Sequence, residues 1–176
     1  EIGSQVQGVQ PGDRVFSGHG RLAQEGLRSC WGSHLHYHVA DAASLIPLPE
    51  GVSTREAAGL VLAQVGYNGA SRPHVSPGDV AVVIGDGLVG QYAGQVLRHR
   101  GAHVILSGHH LERLAIAVGV AADEVVDSRE QDLKEYVLSR YPKGVPISVE
   151  TASQSELIRL ALELLHYEAQ FVLLGY

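Results

Sequence analysis

An apolar run that breaks into a glycine-rich turn is the first feature of the chain that could do chemistry. The segment Val80–Ile84 is followed by Gly85, Gly87 and Gly90 in Gly-x-Gly-x-x-Gly spacing, and a helical pattern continues from Gln91 to Arg100. Gly85 permits a tight turn, Gly87 lets the backbone approach a phosphate, and Gly90 allows close packing of helix on strand. The helix N-terminus then offers N–H groups to an anion. The pattern predicts a site for the pyrophosphate of a dinucleotide.

A tight turn without a ligand is the alternative, because a chain with 21 glycines can produce this spacing by chance. The buried strand before the turn and the helix after it favour the dinucleotide site. Within the loop, Asp86 is interpreted as a turn residue rather than a catalytic one. The predicted cofactor contacts of this loop are Gly85, Asp86, Gly87, Leu88, Val89 and Gly90.

Strands and helices alternate from Val80 to the end of the chain. Further strands are predicted at His103–Leu106, Glu124–Val126, Ile147–Glu150 and Phe171–Leu174. Helices are predicted at Leu111–Val118, Asp132–Tyr141 and Ser155–Leu165. This rhythm predicts an α/β fold, a doubly wound parallel sheet with helices on both faces.

The first third of the chain is β-rich instead. Strands are predicted at Gly12–Phe16 and Leu35–Val39, and Ser53 or Thr54 followed by Glu56 offers a cap for a connecting helix. The predicted organisation is a β-rich unit over residues 1–53, a connecting helix over 54–71 and a dinucleotide-binding domain over 72–176.

Composition narrows the function classes. A net charge of −6 argues against a general affinity for nucleic acid or an anionic membrane, and no apolar run is long enough to span a bilayer. Cys30 is the only cysteine, so an intrachain disulfide is excluded and we expect a cytoplasmic protein. The lack of methionine and the start within a β element predict that the chain is a fragment.

Several ordered motifs carry a family resemblance that covers nearly the whole chain. They are Ile2-Gly3-Ser4, Pro11 to Val15, Leu45 to Ser53, Glu56-Ala57-Ala58, Pro77 to Val80, Gly85 to Gly90, Gly101-Ala102 and Ala122 to Asp127. In this order and spacing the chain resembles the medium-chain dehydrogenase/reductase family. The resemblance implies part of a GroES-like catalytic domain and a Rossmann domain with five of its six strands. It also implies a homo-oligomer in the full-length form.

The family reaction is hydride transfer between a nicotinamide dinucleotide and a carbonyl, an alcohol or an activated double bond of a small molecule. By resemblance, the third ligand position of the catalytic zinc falls on Val61, which cannot bind a metal. We therefore expect an enzyme without zinc, similar to quinone or enoyl reductases. The alternatives are a zinc-dependent alcohol or polyol dehydrogenase with ligands before residue 1, and a non-catalytic nucleotide-binding protein of the same fold.

Gly108 bears on the choice of cofactor. By resemblance it stands where an acidic residue normally accepts hydrogen bonds from the ribose of NAD. Without that carboxylate, a 2′-phosphate meets less repulsion, and Ser107, His109 and Arg113 offer donors to it. We expect NADP(H) to be preferred, with NAD(H) as the less favoured cofactor. The alternative is a simple turn glycine that sets no preference.

Contacts on the nicotinamide side are predicted where two later strands end. Thr151 and Ala152 follow the fourth strand, and Gly175 follows the fifth. Glu150 is interpreted either as a residue near the cofactor or as a cap of the next helix.

Other residues that could do chemistry have structural alternatives. His34, His36 and His38 would share one strand face, either as metal ligands or, as we favour, as a solvated face opposite a buried one formed by Leu35, Tyr37 and Val39. His109 and His110 are interpreted as loop residues, and Cys30 and Trp31 either line a substrate cleft or pack in a core. No metal site and no catalytic residue is assigned, and the substrate stays unidentified.

Overall fold

The computed structural model describes residues 1–18, 36–37 and 39–175. The chain forms two compact units, Glu1–Val61 and Leu62–Tyr176. None of the helices in the described ranges combines the length and the apolarity that crossing a bilayer requires.

The first unit contains a small antiparallel sheet. Strand β1 (Val15–Ser17) pairs with β2 (Leu45–Pro47), and a 3₁₀ helix over Ala42–Ser44 leads into β2. The predicted strand Gly12–Phe16 thus begins and ends later in the structure. The Arg14 carbonyl accepts a hydrogen bond from the Leu48 amide at 2.9 Å, which joins the two flanks of the sheet.

The predicted connecting helix divides into two helices. Helix α1 (Thr54–Ala57) starts at a capping box, in which the Ser53 hydroxyl accepts from the Glu56 amide and the Glu56 carboxylate accepts from the Ser53 amide. Helix α2 (Leu60–Ala70) follows after a turn. Gly59 lies in that turn, and its poor helix propensity explains the break.

The predicted strand Leu35–Val39 falls partly on residues that the structure does not describe. His36 and Tyr37 form a bend, and Val39 makes an isolated bridge. Tyr37 is 93% exposed and Val39 is 57% exposed, so these two residues do not form the buried face that we predicted. His34, Leu35 and His38 lie outside the described residues, as do Cys30 and Trp31.

The second unit is a five-stranded parallel sheet with helices between its strands. Its strands are β3 (Val80–Ile84), β4 (His103–Gly108), β5 (Glu124–Asp127), β6 (Val145–Glu150) and β7 (Leu165–Leu173). Its helices after α2 are α3 (Leu88–His99), α4 (Leu111–Ala117), α5 (Leu133–Arg140) and α6 (Ser155–Glu163). The spatial order β5-β4-β3-β6-β7 confirms the predicted Rossmann-like α/β sheet.

The apolar run of β3 is buried on both faces of the sheet. Val83 packs in one core cluster with Leu97 of α3 and Leu106 of β4. Val82 packs in the other, with Val137 of α5 and Leu164. A central parallel strand covered on both faces needs apolar residues without alternation, which explains the uninterrupted run in the sequence.

The end of α6 and the start of β7 differ from prediction. We predicted a helix to Leu165 and a strand from Phe171, but α6 ends at Glu163 and β7 begins at Leu165. The Leu164 carbonyl accepts a hydrogen bond from the Val145 amide at 2.8 Å, which draws the chain into the sheet directly after the helix. Pairing then shifts register, because Val145 faces Leu165 whereas Ile147 faces Gln170. Glu168 takes a φ of 62° within this irregular stretch.

Gly144, between α5 and β6, combines a left-handed backbone with a crowded site. Its φ is 89°, and an added Cβ would lie 2.6 Å from the His166 amide nitrogen and 2.7 Å from the Leu164 carbonyl oxygen. Gly78 is a matched control, because its φ is also 89° but an added Cβ would meet nothing within 4 Å.

We expect Gly78→Ala to lower the free energy of unfolding by about 1–2 kcal/mol through backbone strain. Gly144→Ala should lower it by about 2–5 kcal/mol, because overpacking adds to the strain. Urea denaturation of both variants measures the difference, and equal losses would contradict the packing at this turn.

Candidate functional site

A cleft of about 560 Å³ lies where the carboxyl ends of β3, β4 and β6 meet. β3 has β4 on one side and β6 on the other, which is the point where ligands bind in open parallel sheets. The predicted site residues that line the cleft are Gly85, Asp86, Gly87, Ser107, Gly108, His109, Arg113, Thr151 and Ala152.

The turn after β3 is held by close backbone contacts. Gly85 has a φ of 119°, and its amide donates to the Ser107 carbonyl at 2.8 Å. A Cβ at Gly90 would lie 2.0 Å from the Gly85 carbonyl oxygen, so the first turn of α3 packs directly against the loop. The Thr151 hydroxyl donates to the Ile84 carbonyl at 3.0 Å and fixes β6 beside the same turn.

The start of α3 faces the loop without a side-chain cap. Gly87 is the N-cap and provides no side-chain acceptor to the N–H groups of the first turn. Leu88, Val89 and Gly90 belong to that turn, and none of them is among the residues that line the cleft. Uncapped N–H groups at the start of a helix are suited to an anion.

Asp86 is the anchor of the segment that follows β4. Its side chain is 5% exposed, and its carboxylate accepts from the His109 amide at 2.9 Å, the His110 amide at 2.7 Å and the His110 ring Nδ1 at 3.0 Å. The ring contact requires a proton on Nδ1. Arg113 Nη1 lies 3.5 Å from the same carboxylate. Asp86 therefore has a defined structural function beyond that of the simple turn residue we predicted.

Two opposing effects set the ionisation of Asp86. Burial raises the pKa of Asp86, but the hydrogen bonds from His110 and His109 outweigh it and hold the pKa below the ordinary value of 3.8. The carboxylate is thus ionised at neutral pH.

Gly108 lies directly against Asp86. A Cβ at Gly108 would fall 2.4 Å from Asp86 Cβ and 2.4 Å from its Oδ2, a separation that real Cβ atoms do not show. The Gly108 carbonyl accepts from the Ser128 amide at 2.8 Å and from the Ser128 hydroxyl at 3.1 Å. The end of β4 thus has no room for a side chain while Asp86 keeps this position.

The neighbouring strand end carries an acid that is already paired. Asp127 lies opposite Gly108 in the register of β4 and β5. Hydrogen bonds from the Arg129 side chain and backbone lower the pKa of Asp127 to about 2. Its negative charge is therefore balanced locally by Arg129.

Two residues at the site carried no sequence signal that we used. His110 lines the cleft and binds Asp86, although we interpreted it as an ordinary loop residue. The Gln91 side-chain amide donates to the Asp86 carbonyl at 3.3 Å and to the Arg113 carbonyl at 3.1 Å, joining α3, the glycine loop and α4. The sequence did offer a signal: Asp86 lies in an apolar loop, and two histidines follow Gly108. A buried carboxylate needs hydrogen-bond donors, and the histidine segment could have been predicted to supply them.

The end of β6 is arranged around a buried acid. Glu150 has no exposed surface, and its Oε1 accepts from the Ala152 amide at 2.6 Å. Its backbone carbonyl accepts from the Gly175 amide at 3.1 Å. Gly175 does not line the cleft, and an added Cβ there would lie 2.4 Å from Glu150 Oε2. Glu150 does not cap α6, whose N-cap is Gln154, so that alternative is wrong.

Within the described ranges, one group of three side chains brings metal-ligating atoms within 4.8 Å of one another, and it consists of Asp86, His109 and His110. The carboxylate of this group already accepts from two backbone amides and a ring N–H. These contacts are those of a loop anchor, and we assign no metal to it.

Comparison with known proteins gives a consistent result. The model of a family described as zinc-binding dehydrogenase matches residues 89–176. A sorbitol dehydrogenase of Halalkalibacterium halodurans is 30% identical over 147 residues, which are 82% of this chain and 43% of that protein. An L-threonine 3-dehydrogenase of Xanthomonas axonopodis pv. citri is 25% identical over 99% of this chain and 56% of its own length. The chain thus spans about half the length of these relatives.

Solved structures share the fold. A candidate zinc-binding dehydrogenase from Sinorhizobium meliloti 1021, solved with NADP, superposes with a TM-score of 0.82 at 22% identity, covering 99% of this chain and 57% of that one. A quinone oxidoreductase of Pseudomonas syringae pv. Tomato DC3000 superposes with a TM-score of 0.76 at 25% identity, covering 97% of this chain and 51% of that one.

The lowered pKa of Asp86 predicts a pH dependence of stability. Asp86→Asn removes the charge and places an amide N–H against donors, so it should lower the free energy of unfolding at pH 7 by about 1–3 kcal/mol. A depressed pKa in the folded state contributes stability that is complete above the unfolded value and is lost as the pH falls through the folded one. The difference between wild type and Asp86→Asn should therefore be constant above about pH 5 and shrink below pH 4. Denaturant unfolding between pH 7 and pH 3 measures it, and a difference that does not change with pH would refute the anchor.

Proposed function

The chain belongs to the zinc-binding dehydrogenase family of medium-chain dehydrogenases/reductases, and from that premise we propose that it binds NADP(H) in the cleft at the carboxyl ends of β3, β4 and β6. The reaction we propose is hydride transfer between this cofactor and a carbonyl, alcohol or conjugated enone, without a catalytic zinc. The choice of cofactor rests on Gly108, which ends β4 beside the internally bonded Asp86, at the position where the family resemblance places a ribose-binding acid.

The residues of the cleft fit a nicotinamide dinucleotide. A side chain at residue 90 would push the first turn of α3 away from the loop. Because Gly90 has none, the backbone of that turn stays close enough to the loop to contact a pyrophosphate. Gly87 leaves the N–H groups of that turn uncapped for the phosphate oxygens. Thr151 and Ala152 line the other end of the cleft, toward which the nicotinamide half would extend.

Charge at the adenosine end favours a 2′-phosphate. A carboxylate that binds the ribose of NAD needs free lone pairs, whereas that of Asp86 is occupied by backbone amides and the His110 ring. His109 and Arg113 line the same part of the cleft and carry donors that a phosphate can accept. Arg113 is half exposed, so its guanidinium can turn toward an anion without being desolvated.

In the proposed reaction, the cofactor supplies the reactive group and the protein orients it. When bound, the nicotinamide supplies or accepts the hydride. The protein orients the dinucleotide through the glycine loop, and the Thr151 hydroxyl, bonded to Ile84, keeps the β6 end of the cleft in place. Glu150 holds the Ala152 amide and thereby the backbone that lines this end. The residue that moves the substrate proton is not assigned.

The absence of a catalytic zinc is proposed from residue type. Val61 stands at the position that the family resemblance gives to a zinc ligand, and an aliphatic side chain cannot coordinate a metal. The second candidate is a zinc-dependent alcohol or polyol dehydrogenase whose ligands lie outside this chain. The similarity to a sorbitol dehydrogenase favours that candidate.

We expect NADPH to bind roughly ten- to a hundredfold more tightly than NADH, because the 2′-phosphate adds one or two charge-assisted hydrogen bonds. Arg113→Ala should weaken NADPH binding and leave NADH binding nearly unchanged. Arg72→Ala is the matched control, because Arg72 is exposed, bonds to Asn68 and does not line the cleft. Fluorescence titration gives the dissociation constants, and tighter binding of NADH by the wild type would refute the NADP(H) proposal.

For zinc, we expect the whole protein, purified without chelators, to contain well below one zinc per chain by elemental analysis. Its turnover of NADPH with a panel of ketones, aldehydes and enones should survive dialysis against a chelator. One tightly bound zinc per chain, lost together with activity, would establish the polyol-dehydrogenase candidate instead. Tight cofactor binding without turnover of any member of the panel would indicate a non-catalytic protein.

A further inference from the structure

We propose that Asp86 and Gly108 act as one specificity-determining pair. The buried side chain of Asp86 fills the space that a ribose-binding acid at the end of β4 would need. This inference rests on the proposed function, since it concerns how the same cleft selects a 2′-phosphorylated adenine nucleotide. Asp86 acts as a positioning residue for the cofactor and does not bind it.

Steric exclusion couples residues 86 and 108. With Cβ at 2.4 Å from Asp86 Cβ, no side chain fits at Gly108 while Asp86 keeps its position. The obstacle is the β-carbon of a buried residue in a tight loop, and not the end of a flexible side chain. An acid at residue 108 and an acid at residue 86 are therefore mutually exclusive.

Charge makes the exclusion stronger. An aspartate at residue 108 would place a second carboxylate against Asp86, and two like charges in one small space disfavour ionisation of both. Asp86 is 5% exposed, so water screens this repulsion poorly.

What Asp86 positions is the cationic side of the cleft. Its carboxylate fixes the amides of His109 and His110, and the two histidine rings lie with centroids 4.1 Å apart. Arg113 Nη1 lies 3.4 Å from His110 Nδ1 and 3.5 Å from Asp86 Oδ1. A carboxylate in the glycine loop thus gathers the groups that suit a phosphate, whereas a carboxylate at the end of β4 would repel it.

The test is a cycle of four proteins: wild type, Asp86→Gly, Gly108→Asp and the double variant, each in the full chain. Melting temperatures without nucleotide measure the coupling. We expect Gly108→Asp to lower the melting temperature by about 4–10 °C in the wild-type background and by clearly less in the Asp86→Gly background, where the β-carbon of residue 86 is also gone. Equal losses in the two backgrounds would overturn the proposal.

Titration with NADPH and NADH measures the consequence for specificity. Asp86→Gly alone should weaken NADPH binding about tenfold, because the segment that carries His109, His110 and Arg113 loses its anchor. The double variant should prefer NADH, because residue 108 then offers a free carboxylate to the ribose. A double variant that keeps the NADPH preference would overturn the proposal. So would an Asp86→Gly variant with weaker NADH binding and unchanged NADPH binding, because Asp86 would then be a direct ribose ligand.

Two further variants keep the test decisive if Asp86→Gly does not fold. Gly108→Ala adds only a methyl group and should still lower the melting temperature, whereas Gly87→Ala, in the same loop with nothing within 4 Å of the added Cβ, should change it little. Equal melting temperatures for these two variants would overturn the steric argument. A wild type that prefers NADH would refute the proposed function and the specificity that this pair is proposed to set. The coupling in melting temperature is measured without any cofactor, so it would still test the steric exclusion by itself.

Discussion

The buried carboxylate of Asp86 is the group on which the cleft depends at the ends of β3 and β4. A charge with 5% of its surface exposed is stable only when its lone pairs are satisfied, and here the donors come from the segment after β4. The requirement explains Gly108, which leaves room for the acid, and Gln91, which ties α3 to the loop and to α4. Loop conformation, residue size and charge at this corner therefore follow from one interaction.

The sheet could be predicted because its physical causes are local in sequence. The unbroken apolar run of β3, the glycine spacing after it and the Ser53–Glu56 capping box each have a single structural explanation, and each is present in the structure. The start of β7 could not be predicted, because a long-range hydrogen bond between Val145 and Leu164 ends α6 early. Local propensity carries no information about such a contact.

The site, like the fold, could be predicted only in part from the sequence. The glycine loop and Thr151 follow from spacing and from position after a strand, and the structure places them around one cleft. The functions of Asp86, His110 and Gln91 depend on side chains that meet only after β3 and β4 are paired. A sequence pattern can indicate where a phosphate binds, whereas our proposal for the identity of the nucleotide rests on these tertiary contacts. The fold alone does not identify the substrate.

If the segment ordered by Asp86 recognises a 2′-phosphate, as we propose, nuclear magnetic resonance of this 18.8 kDa chain will show it in the amide chemical shifts. Amide shifts are followed while the chain is titrated with 2′,5′-ADP and, separately, with 5′-ADP. We expect both ligands to shift the amides of Gly87 and Leu88. Only 2′,5′-ADP should shift those of His109 and His110 strongly, and it should saturate at lower concentration. Identical shifts and affinities for the two ligands, or shifts that leave His109 and His110 unchanged, would contradict the proposal.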